Sequence, residues 1–211
     1  LSDYSKEKFL ALLKEGQTDG LADLVALRKG SLRYLYRLLY HPEELTRWRA
    51  IEAMGLVAQR LAGEDPEAVR NLIRNLLWTI NEESGGIGWS APHCIGEIVH
   101  RLPDMFGEFA SIIISFADEQ MLRRGVLWAA GRIAQARPGL VREEVPRLMT
   151  FLDDPDPVVR GYTLNFLYFV GEMPNLDLYT KLKDDSGEVP LYENGAVRET
   201  TVARLAARSA L

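Results

Sequence analysis

The chain has 211 residues, 47% hydrophobic and 26% charged, with a formal net charge of -5 and a pI of about 5.4. That mixture describes a folded globular chain, and its acidity disfavours a duplex-binding protein, which ordinarily presents a basic face. The single cysteine, Cys94, excludes an internal disulfide and points to a reducing, cytoplasmic setting. No apolar run reaches the roughly 18 residues of a membrane span, and Leu1 to Glu7 lack the basic start and apolar stretch of a secretory signal.

In chain order, the apolar residues recur with helical spacing. Leu32, Leu35, Tyr36 and Leu39 share one helical face. Val69, Leu72, Ile73, Leu76, Leu77 and Ile80 follow the same rule closely, and Val141, Val145, Leu148, Met149 and Leu152 follow it again. Phe106, Phe109, Ile113 and Phe116 fit more loosely. Between these runs lie five segments that align with one another: Thr46 to Gly55, Ile87 to Gly96, Leu122 to Gly131, Val159 to Tyr168 and Val197 to Ala206. With Arg47, Gly88, Arg123, Arg160 and Arg198 as slot zero, the intervals are 41, 35, 37 and 38 residues. Such a period is the mark of a repeat architecture.

The columns of this alignment agree. Slot three holds Ala50, Ala91, Val126, Thr163 and Thr201; slot four holds Ile51, Pro92, Leu127, Leu164 and Val202; slot seven holds Met54, Ile95, Ala130, Leu167 and Leu205. These slots share one helical face, which is therefore the buried one. Slot eight is Gly55, Gly96, Gly131, Tyr168 and Ala206, mostly small enough for a neighbouring helix to approach closely. Asp65-Pro66 and Asp156-Pro157 read as N-caps followed by proline in the first turn. Pro103, Pro138-Gly139 and Pro174-Asn175 fall between helix pairs. No stretch alternates with period two for long enough to predict a sheet. The expectation is an all-α solenoid of about six antiparallel helix pairs, at about 3–29, 30–61, 66–101, 104–137, 140–172 and 175–209, in a single domain.

The second helices, with their Asp-x-x-Val-Arg-x-x-Ala-x-x-Ala-Leu-Gly style, resemble the HEAT repeat. The resemblance is to its short bacterial PBS-lyase HEAT-like form, and it is carried by Thr46 to Gly55, Leu122 to Gly131 and Asp154 to Leu167. It implies a scaffold or adaptor, with a minority of relatives that bind a cofactor or nucleic acid. In HEAT-type pairs an acid of the turn commonly ties to the slot-zero arginine. This points to Asp154 with Arg160, and to Glu43 with Arg47 and Asp118 with Arg123 at other offsets. Val197, Val202 and Leu205 lie near the chain end with no further pair to cover them, so a polar cap or weak self-association through the last pair is expected; otherwise the protein is a monomer.

At about 100° per residue, slots one and five point away from the buried face. Slot one holds Trp48, Trp89 and Arg124; slot five holds Glu52, His93 and Trp128. In a HEAT-type stack the second helices line the concave surface, so these six side chains would converge there. Clustered exposed aromatics with arginine are typical of binding hot spots. The alternative is that the rings pack between repeats.

The third repeat departs from the others. Ser84-Gly85-Gly86-Ile87-Gly88 replaces its charged start, and with Trp89 this run resembles an element of uncharacterised bacterial HEAT proteins, a resemblance that implies no activity. Gly85, Gly86 and Gly88 could offer backbone N–H groups to an anion. A remodelled turn explains them as well, and no P-loop lysine follows. Cys94 reads as a small buried residue. No His-x-x-x-His or Cys-x-x-Cys pair suggests a metal, and no catalytic set or cofactor motif stands out, although Glu52, Glu97 and His93 could converge. The expected function is a non-enzymatic protein- or peptide-binding adaptor acting through the concave ridge. The alternatives are a bilin-lyase-like or other cofactor-handling enzyme and a HEAT-like DNA glycosylase. The last would draw on a basic stripe of Arg47, Arg49, Arg123, Arg124 and Arg132.

Overall fold

The computed structural model describes residues 4–81 and 89–209. Its helices come in successive pairs: α1 (Lys6–Lys14) with α2 (Thr18–Leu27), α3 (Leu32–Leu38) with α4 (Glu44–Ala62), and α5 (Pro66–Asn81) with α6 (Ala91–Arg101). The short α7 (Pro103–Phe106) and α8 (Phe109–Ile114) precede α9 (Arg123–Ala136), and α10 (Val145–Leu148), flanked by 3-10 turns, precedes α11 (Pro157–Val170). The last pair is α12 (Leu176–Leu182) and α13 (Val202–Ser209). The fold is an all-α, solenoid-like array.

Local chemistry fixes the starts. Asp156 is an N-cap whose carboxylate accepts from the Val158 amide at 3.0 Å, with Pro157 following in the first turn. Asp65 accepts from the Ala68 amide at 3.0 Å in the same way. Gly171 closes α11 in the left-handed region, with φ of 74°.

The second helices α2, α4, α6, α9, α11 and α13 pack each on the next, making one layer, with the first helices as the other. The slot-eight glycines set how closely they sit. A Cβ on Gly96 would stand 2.6 Å from both Cα and Cβ of Ala129 on α9, and one on Gly55 would stand 2.5 Å from Cγ of Glu97 on α6. Gly131 faces the Phe166 backbone of α11 at ordinary contact distance.

The slot-zero arginines repeat one arrangement. Arg47 donates to the carbonyls of His41 and Pro42, Arg123 to those of Ala117 and Asp118, and Arg160 to those of Asp154 and Pro155. Each thus satisfies the carbonyls six and five residues before itself. For Arg123 and Arg160 the acid side chain comes from the following pair, not from the arginine's own turn. Asp154 pairs with Arg123 at 2.8 Å, and Asp185 pairs with Arg160 at 2.7 Å. Glu43 instead accepts from Thr46, and the Asp118 carboxylate pairs with Arg147. The ladder therefore joins repeats, where the sequence suggested that it closes each one.

A second correction lies in the last pair. Residues 188–201 are strands β1 (Glu188–Glu193) and β2 (Ala196–Thr201), paired antiparallel from Glu188↔Thr201 to Glu193↔Ala196. Arg198 and Thr201, aligned by sequence with helical slots, are on β2. The two-residue loop is Asn194-Gly195, with φ of 52° and 76°, the geometry that matches strand twist and that asparagine and glycine accept. Val202 and Leu205 are buried within the chain, because α13 packs on α11 and α12.

Gly96→Ala tests the glycine spacing. The added methyl meets backbone on α9 and is expected to destabilise by about 1–3 kcal/mol, lowering Tm by roughly 2–4 °C per kcal/mol in a chain of this length. Gly63→Ala, with open space at its Cβ, serves as the control in thermal denaturation; equal Tm values for the two variants would contradict the close-approach account.

Candidate functional site

The hairpin, inserted where a short turn would join α12 to α13, lies against α11 and reaches back to α4. A Cβ on Gly161 would stand 2.5 Å from Val189, so this glycine lets β1 sit down on α11. Tyr162 donates its hydroxyl to the Pro190 carbonyl at 2.8 Å. At the far end Tyr192 stacks on Trp48 with ring centroids 5.4 Å apart and planes 6° apart. Its hydroxyl donates to Oε2 of Glu52 at 2.5 Å. Burial raises the Tyr192 phenol well above its ordinary range, and the Glu52 bond and charge add to it, so the phenol remains the donor. Arg49 completes the tie: its Nε donates to the Gly195 carbonyl at 3.2 Å while Nη1 holds the Leu13 and Lys14 carbonyls of the first pair.

This arrangement corrects the expected exposure of the ridge. Trp48 is 6% exposed and Trp128 is 7% exposed. They sit 5.1 Å apart, with His93 5.0 Å from Trp48 and 5.4 Å from Trp128. The three indoles do not form one wet ridge: Tyr192 of the hairpin covers Trp48, while Trp128 packs against Trp48 and His93 and borders the open cavity. Trp89 stands apart at the start of α6 and is 58% exposed. Arg124 is exposed and pairs with Asp156 of the next repeat. Gly85, Gly86 and Gly88 lie outside the described residues.

His93 is half-buried between the two indoles, and its Nδ1 is buried without a hydrogen-bond partner. Gly125 leaves it room, since a Cβ there would stand 2.9 Å from Nδ1. Burial lowers the imidazole pKa to about 4; a backbone interaction at Trp89 opposes the shift and the charge of Arg47 adds to it. Burial also raises the Cys94 thiol, which is enclosed in the core.

Beside the hairpin tip the inner face remains open as a cavity of about 370 Å³. Glu52 of α4, Glu97 of α6, Arg132 and Gln135 of α9, Asn165 of α11 and Tyr192 of the hairpin converge on it, with Trp128 and Phe169 as aromatic wall. Of the three groups that the sequence suggested could meet, Glu52 and Glu97 do, and His93 is not among the lining residues. Glu97 is only 2% exposed, held between Arg101 at 2.7 Å and Arg132 at 2.6 Å. Removing a charge from water is costly unless it is paired, and this triad meets that condition. Arg132 also donates to Gln135 Oε1 at 2.5 Å, and Asn165 Oδ1 accepts from Arg208, whose guanidinium lies 4.1 Å from the Tyr168 ring centroid. Among the described residues no three His, Cys, Asp or Glu side chains gather to hold a metal. The cavity offers amide, carboxylate and aromatic contacts, suited to holding a polar group.

The five arginines of the expected basic stripe are spent on the protein itself. Arg47 holds turn carbonyls, Arg49 the first pair and the hairpin, Arg123 and Arg124 the acids of the next repeat, and Arg132 Glu97.

Comparison with known proteins follows this geometry. Residues 120–170, which hold α9 through α11, match the HEAT-like repeat. This supports a HEAT-repeat protein. An uncharacterised protein of Archaeoglobus fulgidus is 28% identical over 177 residues, covering 81% of this chain and 91% of its own length. A crystal structure of an engineered protein aligns with a TM-score of 0.57 and 13% identity, over 97% of this chain and 87% of that one, a likeness of fold.

The sign of the His93 shift gives a pH dependence. Its folded value lies below the ordinary 6.5, so its contribution to stability is complete above pH 6.5 and is lost as pH falls toward 4. His100, lowered by burial and by Arg132, acts in the same direction. Urea titrations of wild type and His93→Leu between pH 7 and pH 4 are expected to show a loss on the order of 2–3 kcal/mol that the variant lacks. Parallel pH profiles would contradict the burial of a neutral His93.

Proposed function

We propose that the chain is a non-enzymatic adaptor that holds a protein or peptide partner on its inner face, at the cavity beside the hairpin tip. The observation that carries this reading is the convergence of four successive second helices and the hairpin on one open, polar and aromatic cavity. A repeat array presents such a face by construction, because each pair adds a side chain at equivalent slots. Glu52 and Trp128 of the ridge then act as its wall, with Asn165, Gln135 and Phe169 beside them. Trp48 and His93 act from beneath as a covered floor, and Trp89 and Arg124 lie outside the cavity lining. The lone, enclosed thiol of Cys94 fits a reducing cytoplasm, which is part of the proposal. Among the described residues no helix is long and apolar enough to cross a membrane.

The nucleic-acid reading loses its support, since its arginines are engaged in holding the fold. The bilin-lyase-like reading rests on the resemblance of the second helices, and no feature of the cavity favours it.

Affinity capture from the source organism tests the adaptor reading. Wild type is expected to retain a defined partner that Gln135→Ala/Asn165→Ala releases, with melting little changed and with Glu64→Ala on a distant exposed site behaving as wild type. Retention by the double variant, or no partner for wild type, would contradict it.

A further inference from the structure

The hairpin sits on the inner face as a bound peptide would. One strand, β1, faces the helices, and Val189 and Leu191 are buried there. The other strand, β2, carries no buried residue. An isolated two-stranded hairpin is marginal in water, so residues 188–201 depend on this seat for their order. The seat has distinct features. Trp48 gives an aromatic face for Tyr192, Glu52 accepts its hydroxyl, Arg49 holds a turn carbonyl, and the Tyr162 hydroxyl holds a carbonyl of β1. Trp128 and His93 pack against Trp48 behind it, and the His93 Nδ1 has no partner. These groups recognise a strand and turn carrying a phenol, and they are contributed by α4, α6, α9 and α11, separately from the hairpin itself.

We infer that this seat is a second part of the partner site, that it takes an extended strand-turn segment presenting a tyrosine, and that the chain's own hairpin is the built-in competitor for it. The inference rests on the adaptor reading above and adds its regulation. Being tethered at both ends, to α12 and α13, the hairpin competes at an effective concentration in the millimolar range. The seat is therefore shut at rest, and a partner segment enters it when the hairpin lifts. The buried face of β1, the Tyr192 stack, the partly buried Val197 and the polar ties just named oppose that lifting. The cavity beside the tip stays open in the shut state and supplies the first contact.

The test uses the full chain and two variants, Tyr192→Ala, which removes the stack and the Glu52 bond, and Gly195→Val, which strains a residue at φ of 76°. Hydrogen exchange and titration with a peptide of the sequence Glu188 to Thr201, closed by a disulfide between cysteines added at its two ends, are measured on each. Amides of 188–201 are expected to exchange at least tenfold faster in both variants while α9 stays protected. The peptide is expected to bind the variants at least tenfold more tightly than wild type, and a peptide with alanine for its tyrosine is expected to lose that binding. The inference is overturned if the hairpin remains as protected as α9 in both variants, if the opened variants do not bind the peptide, or if wild type binds it equally well. Capture of a partner that is sensitive to Gln135→Ala/Asn165→Ala but indifferent to the hairpin variants would leave the adaptor reading standing and remove the competitor. Peptide binding that follows the expectation, with no partner captured, would remove the adaptor reading alone.

Discussion

The stacking of Tyr192 on Trp48, with the phenol hydroxyl on Glu52, joins the last helix pair to the second across 140 residues of sequence. A solenoid is otherwise a nearest-neighbour structure, in which each pair touches only the next and stability sums along the array. This contact breaks that rule. Together with the Arg49 bond to Gly195 it ties the C-terminal pair to α4, and through the same guanidinium to the end of α1. The array is thereby closed across its inner face. The close fit of α4, α6 and α9 at Gly55 and Gly96 brings Trp48, His93 and Trp128 into one aromatic cluster, on whose Trp48 the hairpin's Tyr192 rests.

The same contact divides the inner face into two chemically different parts. Under the hairpin the floor is aromatic and nearly dry. Next to it the cavity is polar, with a buried Glu97 neutralised by two arginines and with amide groups of Asn165 and Gln135 at its wall. Charged residues elsewhere act mainly as joints. Arg47, Arg123 and Arg160 satisfy turn carbonyls, and Arg123 and Arg160 also reach the acid of the next repeat, so a conspicuous feature of the sequence is explained by architecture.

Much of the architecture is legible in the sequence because it is local. The 3.6-residue spacing, the Asp-Pro starts and the slot-eight glycines each depend on neighbours within one repeat or the next. Of slots one and five, Glu52 and Trp128 line the inner cavity and Trp48 packs against Trp128, while Trp89 and Arg124 lie away from it. The burial of Trp48 is not legible in the sequence, since it depends on Tyr192, far along the chain. The hairpin itself had a readable signal: Asn194-Gly195 between Val189, Leu191 and Val197 marks a two-residue turn. The alignment of Val197 to Ala206 with earlier second helices conceals it, because Val202 and Leu205 fit their slots while Arg198 is on a strand. The acid partners of Arg123 and Arg160 are hidden for a related reason, as they come from the following repeat.

A double-mutant cycle between Tyr192→Phe and Glu52→Ala, read by urea unfolding, tests the cross-array tie most directly. A hydrogen bond to a charged group contributes about 1.5–3 kcal/mol, so a coupling energy of at least about 1 kcal/mol is expected between these two positions. Strictly additive effects would show that Tyr192 and Glu52 do not meet in solution, and the closure of the array across its inner face would fall with them.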